Sequence, residues 1–209
     1  MIVHDMRGLL LVVLANLDLA MPELDGQARA DVGEAAGAAH AVNRMANELL
    51  DVSRLEEGKM PLVREPTNVA ELCEHAVRAA RALDTSRSID ASGGPAFANC
   101  DAGLVRRVID NLVSNAVKHT PPAGTVHVTS SFASGQVRVS VTDDGPGVPA
   151  ELRPRLFEKF TAARKSNEKY HSAGLGLAFC KLAVEAHGGT IRVEPATPRG
   201  TVFTFEIPA

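Results

Sequence analysis

One segment in the middle of the chain constrains the fold more than any other, because it predicts a helix with an unusual polar face. Residues 111–118 place Asn111, Asn115 and Lys118 at intervals of four and three residues, on one side of a helix. The other side is apolar, so the helix must pack against a second layer. Amide oxygens can complete the shell of a magnesium ion, and an ammonium can hold a phosphate. The stripe fits a magnesium–nucleotide site, although a solvated helix face would look the same in isolation.

A second motif follows an alternating apolar and polar run over residues 137–142, which predicts a half-buried strand. Asp143 then stands at the strand end, before a turn that Gly145 and Gly147 allow. A carboxylate there can accept a hydrogen bond from an exocyclic amine, and glycines let a flat base approach the backbone. An ordinary hairpin turn is the alternative.

Two further glycine motifs lie near the C-terminus. Residues 174–177, Gly-Leu-Gly-Leu, open an apolar helical run, and glycines at a helix start expose backbone N–H groups to an anion. Residues 199–201, Arg-Gly-Thr, lead into a closing strand. Each piece is common by itself, but their order and spacing together are not.

Taken in order, these segments resemble the catalytic domain of bacterial sensor histidine kinases, within the ATPase group shared with DNA gyrase, heat-shock chaperones and MutL-type repair proteins. The resemblance covers residues 67–209. The matching boxes are the N box at 111–120, the G1 box at 143–147, the F box at 156–160, the G2 box at 172–177 and a last glycine motif at 199–201.

The resemblance implies a role for each matching position. Asn115 would coordinate magnesium, while Asn111 and Lys118 would contact the triphosphate of ATP. Asp143 would receive the adenine amino group, and Thr201 would support it through a water. The stretch 158–173 would be the lid over ATP. The other positions expected at the nucleotide are His119, Gly145, Gly147, Phe160, Gly174, Leu175 and Gly176.

The N-terminal part carries two heptad stripes separated by a break containing Pro22 and Gly26. The stripes consist of Met6, Leu10, Val13, Leu17 and Ala20, and of Ala35, Ala38, Val42, Met45, Leu49 and Val52. This pattern predicts an antiparallel helical hairpin that pairs with a second copy into a four-helix bundle. A hairpin that packs only on its own domain is the alternative.

His4 lies one residue past a seam position of the first stripe, so it should flank the seam and face water. With Asp5 and Arg7 it resembles the H box of the HisKA dimerisation domain. A neutral imidazole is a competent nucleophile toward a γ-phosphate, and an adjacent carboxylate can orient it and take its proton. His4 is therefore the predicted phosphoacceptor, with Asp5 beside it, unless it is an ordinary surface histidine.

The H box departs from the family pattern at two positions. The family usually has Thr, Asn or Ser four residues after the histidine and Pro at the fifth, whereas this chain has Gly8 and Leu9. The fourth-position side chain is thought to orient the water that hydrolyses the regulator's phospho-aspartate. Gly8 has no polar atom for that task, so weak phosphatase activity is expected.

These patterns predict an α+β protein with two domains. Residues 1–57 form the dimerisation and phosphotransfer hairpin, 58–66 the linker, and 67–209 the ATP-binding domain, a two-layer α/β sandwich of the Bergerat type. The predicted function is that of a histidine kinase core. It would bind ATP and Mg²⁺, phosphorylate its own His4 and transfer the phosphoryl group to an aspartate of a response-regulator receiver domain. The alternatives are a scaffold that binds nucleotide without phosphorylating and, less compatible with the hairpin, a gyrase-type clamp.

Composition excludes several other classes of protein. A net charge of -3 gives no electrostatic reason to bind nucleic acid, and no apolar run is long enough to span a membrane. The three cysteines, Cys73, Cys100 and Cys180, lie in apolar patterns without metal-ligand spacing. They predict buried thiols in a reducing compartment, consistent with a cytoplasmic location.

Overall fold

The chain begins with two antiparallel helices joined by a tight turn. The structure, a computed structural model, describes residues 2–161 and 174–209, with the backbone alone for residues 2–7. Helix α1 spans Ile2–Ala20, and helix α2 spans Gly26–Glu56 after a 3-10 turn at Met21–Glu23. Pro22 lies in that turn, where its fixed φ is tolerated, and Gly26 has a φ of +57°. The predicted helical hairpin is confirmed.

Beyond the hairpin, the described residues form seven strands and three α-helices. They are β1 (Glu65–Asn68), α3 (Val69–Leu83), β2 (Ser88–Gly93), β3 (Phe97–Cys100), α4 (Ala102–His119), β4 (Thr125–Ala133), β5 (Gln136–Asp143), α5 (Gly176–Ala186), β6 (Thr190–Pro195) and β7 (Thr201–Pro208). Five strands form a mixed sheet in the order β2-β4-β5-β7-β6, and β1 pairs with β3 in a separate two-stranded sheet. Only β2 and β4 are parallel in the larger sheet, and α4 provides the crossover that a parallel pair needs.

Alternation along the strands gives the sheet one apolar face. In β5, Val137, Val139 and Val141 are buried, while Arg138 between them is exposed. Helices α3, α4 and α5 cover the apolar face, and Leu112 of α4 and Phe179 of α5 are fully buried against it. The fold is therefore the predicted two-layer α/β sandwich of the Bergerat type.

The structure adds detail around the predicted linker and the predicted lid. Strand β1 begins at Glu65, inside the segment assigned to the linker, because it pairs with β3. A single 3-10 turn at Arg153–Arg155 precedes the predicted lid. Most of the predicted lid, residues 162–173, lies outside the described residues.

The C-terminal end of α2 belongs to the same core as the ATP-binding domain. Val52 is fully buried and Leu55 is 8% exposed, in one apolar cluster with residues of α4 and α5. Val52 was predicted for the hairpin seam, but its side chain instead packs in the core with residues of α4 and α5. Val13 and Val42, predicted for the same seam, are exposed in the single chain.

The cysteines are buried free thiols, as predicted. Burial raises the pKa of Cys73 and of Cys180 to about 12, so both thiols stay protonated and unreactive near neutral pH. No helix among the described residues combines the length and the apolar character needed to cross a membrane.

Candidate nucleotide-binding site

Helix α4 presents its polar stripe toward the start of helix α5. Its N-terminus is capped by Asp101, whose side chain accepts a hydrogen bond from the Leu104 N–H at 3.0 Å. Asn111 and Asn115 are half-buried on this stripe, whereas Lys118 is exposed near the helix end. A Cβ on Gly176 would lie 3.3 Å from Asn111 Oδ1, a tight contact, so the glycine eases the close approach of α5 to α4.

Asp143 lies at the end of β5 with its carboxyl group almost fully buried. Its Oδ1 accepts a hydrogen bond from the Gly145 N–H at 2.9 Å. Thr201 faces Asp143 across the β5–β7 pair, and its backbone N–H and hydroxyl favour the ionised carboxylate. Burial raises the pKa of Asp143, while these donors and the nearby His119 act in the opposite direction. The carboxyl group is held in a fixed orientation and keeps acceptor capacity for a ligand.

Two glycines allow the backbone around Asp143 to pack this closely. A Cβ on Gly200 would lie 1.8 Å from the Asp143 carbonyl oxygen, and its φ of +106° is itself unfavourable for other residues. A Cβ on Gly145 would lie 2.7 Å from the carbonyl oxygen of His119. The glycine motifs at 143–147 and 199–201 therefore meet, and they form one wall of the site.

An open pocket of about 510 Å³ adjoins this wall. Its lining comprises Lys118, His119, Thr120, Pro121, Asp144, Gly145, Pro146 and Arg199. Lys118 and Arg199 make the rim partly cationic, which suits a phosphorylated ligand. Asp144 is held by the Thr125 N–H and hydroxyl, at 3.0 and 3.1 Å. Asp144, Thr120 and Arg199 were not singled out as site residues from the sequence. Asp144 and Thr120 each directly neighbour a position that was, and Arg199 opens the motif at 199–201.

The third glycine motif begins helix α5. Gly174 has a φ of +67°, and its carbonyl oxygen accepts a hydrogen bond from the Phe160 N–H at 3.1 Å. Leu175 is buried beneath the turn, and α5 starts at Gly176. Phe160 is 53% exposed, although its backbone is tied to the turn before α5.

The cleft along the polar stripe of α4 adjoins two groups of predicted nucleotide residues. Asn111 faces Gly176 at the start of α5, and Lys118 lines the pocket with Gly145, next to the paired Asp143 and Thr201. Gly147 lies close to Gly200, because a Cβ added to Gly147 would be 3.2 Å from the Gly200 carbonyl oxygen. His4 and Asp5 belong to α1, but their side chains are outside the described part of the chain. Helix α1 packs against α2, and α2 in turn packs against α5.

A pocket beside a buried aspartate, bordered by glycine motifs and lined by two cationic side chains, is the kind of concave site that a small phosphorylated ligand can occupy. Residues 100–209 match the family described as histidine kinase-, DNA gyrase B- and HSP90-like ATPase. The match covers more than half of the chain, which therefore belongs to this family.

The individual relatives that the chain is similar to include histidine kinases. It is 32% identical, over 98% of its length, to hybrid signal transduction histidine kinase D of Dictyostelium discoideum, covering 14% of that protein. It is 33% identical, over 98% of its length, to the probable sensor histidine kinase TcrY of Mycobacterium tuberculosis, covering 44% of that protein. The chain thus spans less than half the length of either relative.

A solved structure agrees over nearly the whole chain. The crystal structure of full-length ShkA in complex with AMPPNP superposes with a TM-score of 0.86 and 29% identity. The superposition covers 99% of this chain and 44% of that one, so it includes the helical hairpin as well as the ATPase domain.

Proposed function

We propose that this chain is the catalytic core of a two-component sensor histidine kinase. It binds Mg-ATP, phosphorylates its own His4 and passes the phosphoryl group to an aspartate on a response-regulator receiver domain. The observation that carries the proposal is the polar stripe of α4, where Asn111 faces Gly176. The same stripe ends at Lys118, which lines the pocket beside the buried Asp143, and the first helix of the chain bears His4. The relatives named above are histidine kinases, and the ShkA structure contains an ATP analogue.

The donor set fits a magnesium ion that is held mainly by the nucleotide. The described residues contain no group of three or more His, Cys, Asp or Glu side chains that could hold a metal. The Asn115 amide oxygen would provide the protein ligand, with phosphate oxygens and waters completing the shell. Bound magnesium would neutralise charge on the phosphates during transfer.

The protein contributes positioning and electrostatics to the reaction. The Asp143 carboxylate would accept from the adenine amino group, and Asn111 and Lys118 would hold the triphosphate. A ring nitrogen of His4 would then form a bond to the γ-phosphorus as the bond to the β–γ bridging oxygen breaks and ADP leaves. Asp5 would take the proton from the other ring nitrogen.

The hairpin offers a surface for the second copy that such a kinase would need. Among its exposed apolar residues, Leu9 is 71%, Val12 60%, Val13 48% and Val42 44% exposed. An apolar helix surface of this extent is costly in water, so pairing with another hairpin would stabilise it.

Incubation with ATP labelled at the γ-phosphate tests the proposal. We expect a label on the protein that is lost in acid, as a phosphohistidine is, and that is absent in His4→Gln. We also expect no label in Asn115→Asp, because the new charge beside the triphosphate alters the magnesium shell. Tight ATP binding without any label would favour the non-phosphorylating scaffold.

A further inference from the structure

Arg107 occupies a junction of three helices that the proposed chemistry does not use. It precedes Asn111 by four residues and so lies one helical turn earlier on the same side of α4. The guanidinium carbon of Arg107 stands 3.9 Å from the ring centroid of Phe179 in α5. This cation–π contact ties the helix that carries Asn111 to the helix that begins at Gly176.

The hairpin provides the counter-charge for this arginine. Arg107 forms an ion pair with Asp51 of α2, and the two side chains are 33% and 25% exposed. Glu48, one turn earlier on α2, also acts electrostatically on Arg107. Val52 lies fully buried beside this pair, so the contact is anchored on apolar packing.

The same junction reaches the phosphate end of the cleft. The Oδ1 atom of Asn111 faces Gly176. The thiol of Cys180, the residue that follows Phe179, donates a hydrogen bond to the Val108 carbonyl oxygen of α4 at 3.8 Å, so α5 and α4 are joined here as well. The adenine end, around Asp143, is instead fixed by the turn at Gly145 and by Thr201. Support from Arg107 therefore acts on one end of the site.

We propose that Arg107 is a positioning residue through which helix α2 of the hairpin sets the affinity of the site for the phosphates of ATP. Asp51 holds the guanidinium over Phe179, and the stacked guanidinium fixes α4 and α5 at the spacing that Asn111 and Gly176 need. The hairpin thus takes part in nucleotide binding without touching the nucleotide. This inference rests on the proposed function, because it assumes that ATP occupies this cleft.

Affinities for Mg-ATP and for adenosine, measured by titration calorimetry on the full chain, test the inference. We expect Arg107→Gln and Asp51→Asn to weaken ATP binding about three- to tenfold, the range for losing a partly exposed ion pair together with an aromatic contact. Adenosine binding should change less than about twofold, since it lacks phosphates. Arg107→Lys should lie between, because it keeps the charge and loses the planar stack.

Arg106→Gln is the matched control. Arg106 is the neighbouring exposed arginine on α4 and pairs with Asp110 of the same helix at 3.7 Å, so its loss should leave both affinities unchanged. Equal losses for ATP and adenosine in the Arg107 and Asp51 variants would indicate general destabilisation and overturn the inference, as would unchanged ATP affinity. A wild-type chain that binds no ATP would instead refute the proposed function, and this inference with it.

Discussion

At the scale of single residues, Asp143 determines how the proposed adenine site should respond to pH. The ionised carboxylate is a stronger acceptor for the adenine amine than the protonated acid, and burial raises its pKa above the ordinary aspartate value. ATP affinity should therefore fall as the pH is lowered through this raised pKa, at a higher pH than an exposed aspartate would cause. Binding isotherms between pH 8 and pH 4 measure the effect.

Asp143→Asn should remove that pH-dependent step and weaken ATP binding by about 1–3 kcal/mol at pH 8. The reason is that the amide carries one acceptor oxygen and one NH₂ donor where the carboxylate carries two acceptors. Comparison with this variant also cancels the titration of the phosphates themselves. Asp110→Asn is the control, since Asp110 is an exposed carboxylate that pairs with Arg106 on α4. An unchanged dissociation constant in Asp143→Asn would place the adenine elsewhere.

Gly8 is the second residue with a testable consequence. It stands four residues after His4 in α1, and a Cβ added there would meet no other atom within 4 Å. A polar side chain is thus sterically allowed where the chain has none. We expect weak phosphatase activity toward a phosphorylated response regulator in the presence of ADP, and a gain of that activity in Gly8→Thr.

Gly8→Ala separates the hydroxyl from the backbone effect, because both substitutions remove a helix-interior glycine that costs about 1 kcal/mol relative to alanine. Only the threonine variant should gain activity. Rapid dephosphorylation by the wild type would show that another group positions the water.

At the scale of elements, periodicity alone predicted the two hairpin helices, α4, and the strand that ends at Asp143. The amphipathic pattern of α4 and the alternation in β5 come from neighbours along the chain, so a sequence reveals them directly. The pairing of β1 with β3 was not foreseen, because Pro66 and mixed charges make residues 65–68 look like a linker. Arg199 was likewise missed as a lining residue, since only the folded pocket brings it near Lys118.

His187 fixes two elements of the nucleotide cleft relative to each other. The residue is 3% exposed and follows the last residue of α5. Its Nδ1 lies 2.7 Å from the Ala183 carbonyl oxygen, and the Asp101 N–H donates to its Nε2 at 3.0 Å. The carbonyl can only accept and the amide can only donate, so the ring is neutral with its proton on Nδ1. The end of α5 is thereby fastened to the start of α4.

His187→Ala should lower the free energy of unfolding by about 2–4 kcal/mol, because it leaves a cavity and a buried N–H without a partner. Denaturant unfolding of the variant and the wild type measures the difference. His75→Ala, at an exposed position on α3, should change it by less than about 0.5 kcal/mol. Equal destabilisation by the two changes would contradict the role given to His187.

At the scale of the whole molecule, the predicted bundle depends on the apolar surface that the single chain leaves uncovered. Val42 is 44% exposed, so a charge there disturbs the isolated hairpin little. In a shared seam, however, the same charge would be buried at a cost of several kcal/mol. Val42→Glu should therefore convert a dimer into a folded monomer, as measured by light scattering.

His40→Glu adds a charge at an exposed position of α2 outside the predicted seam and should leave the dimer intact. A wild-type chain that is monomeric at micromolar concentration would rule out the bundle.

The contact between the two halves of the molecule was the part least accessible from the sequence. Asp51 and Arg107 are 56 residues apart, and each lies in a pattern that already has a local explanation, a heptad helix and an amphipathic helix. Lys159 and Glu56, which pair at 2.5 Å, are separated by 103 residues. Such pairs form only when both elements have folded and docked, so no local pattern predicts them.

Helix α2 can act as a lever arm. It runs for 31 residues without a proline, a length of about 46 Å at 1.5 Å per residue. One end meets the turn after α1, and the other end is seated in the core of the ATP-binding domain. A tilt of about 5° at the turn would move the far end by about 4 Å, more than the separation of about 3–3.5 Å that defines a near-attack geometry. A rod of this length would therefore convert a small change of angle into a displacement large enough to align or misalign reacting atoms.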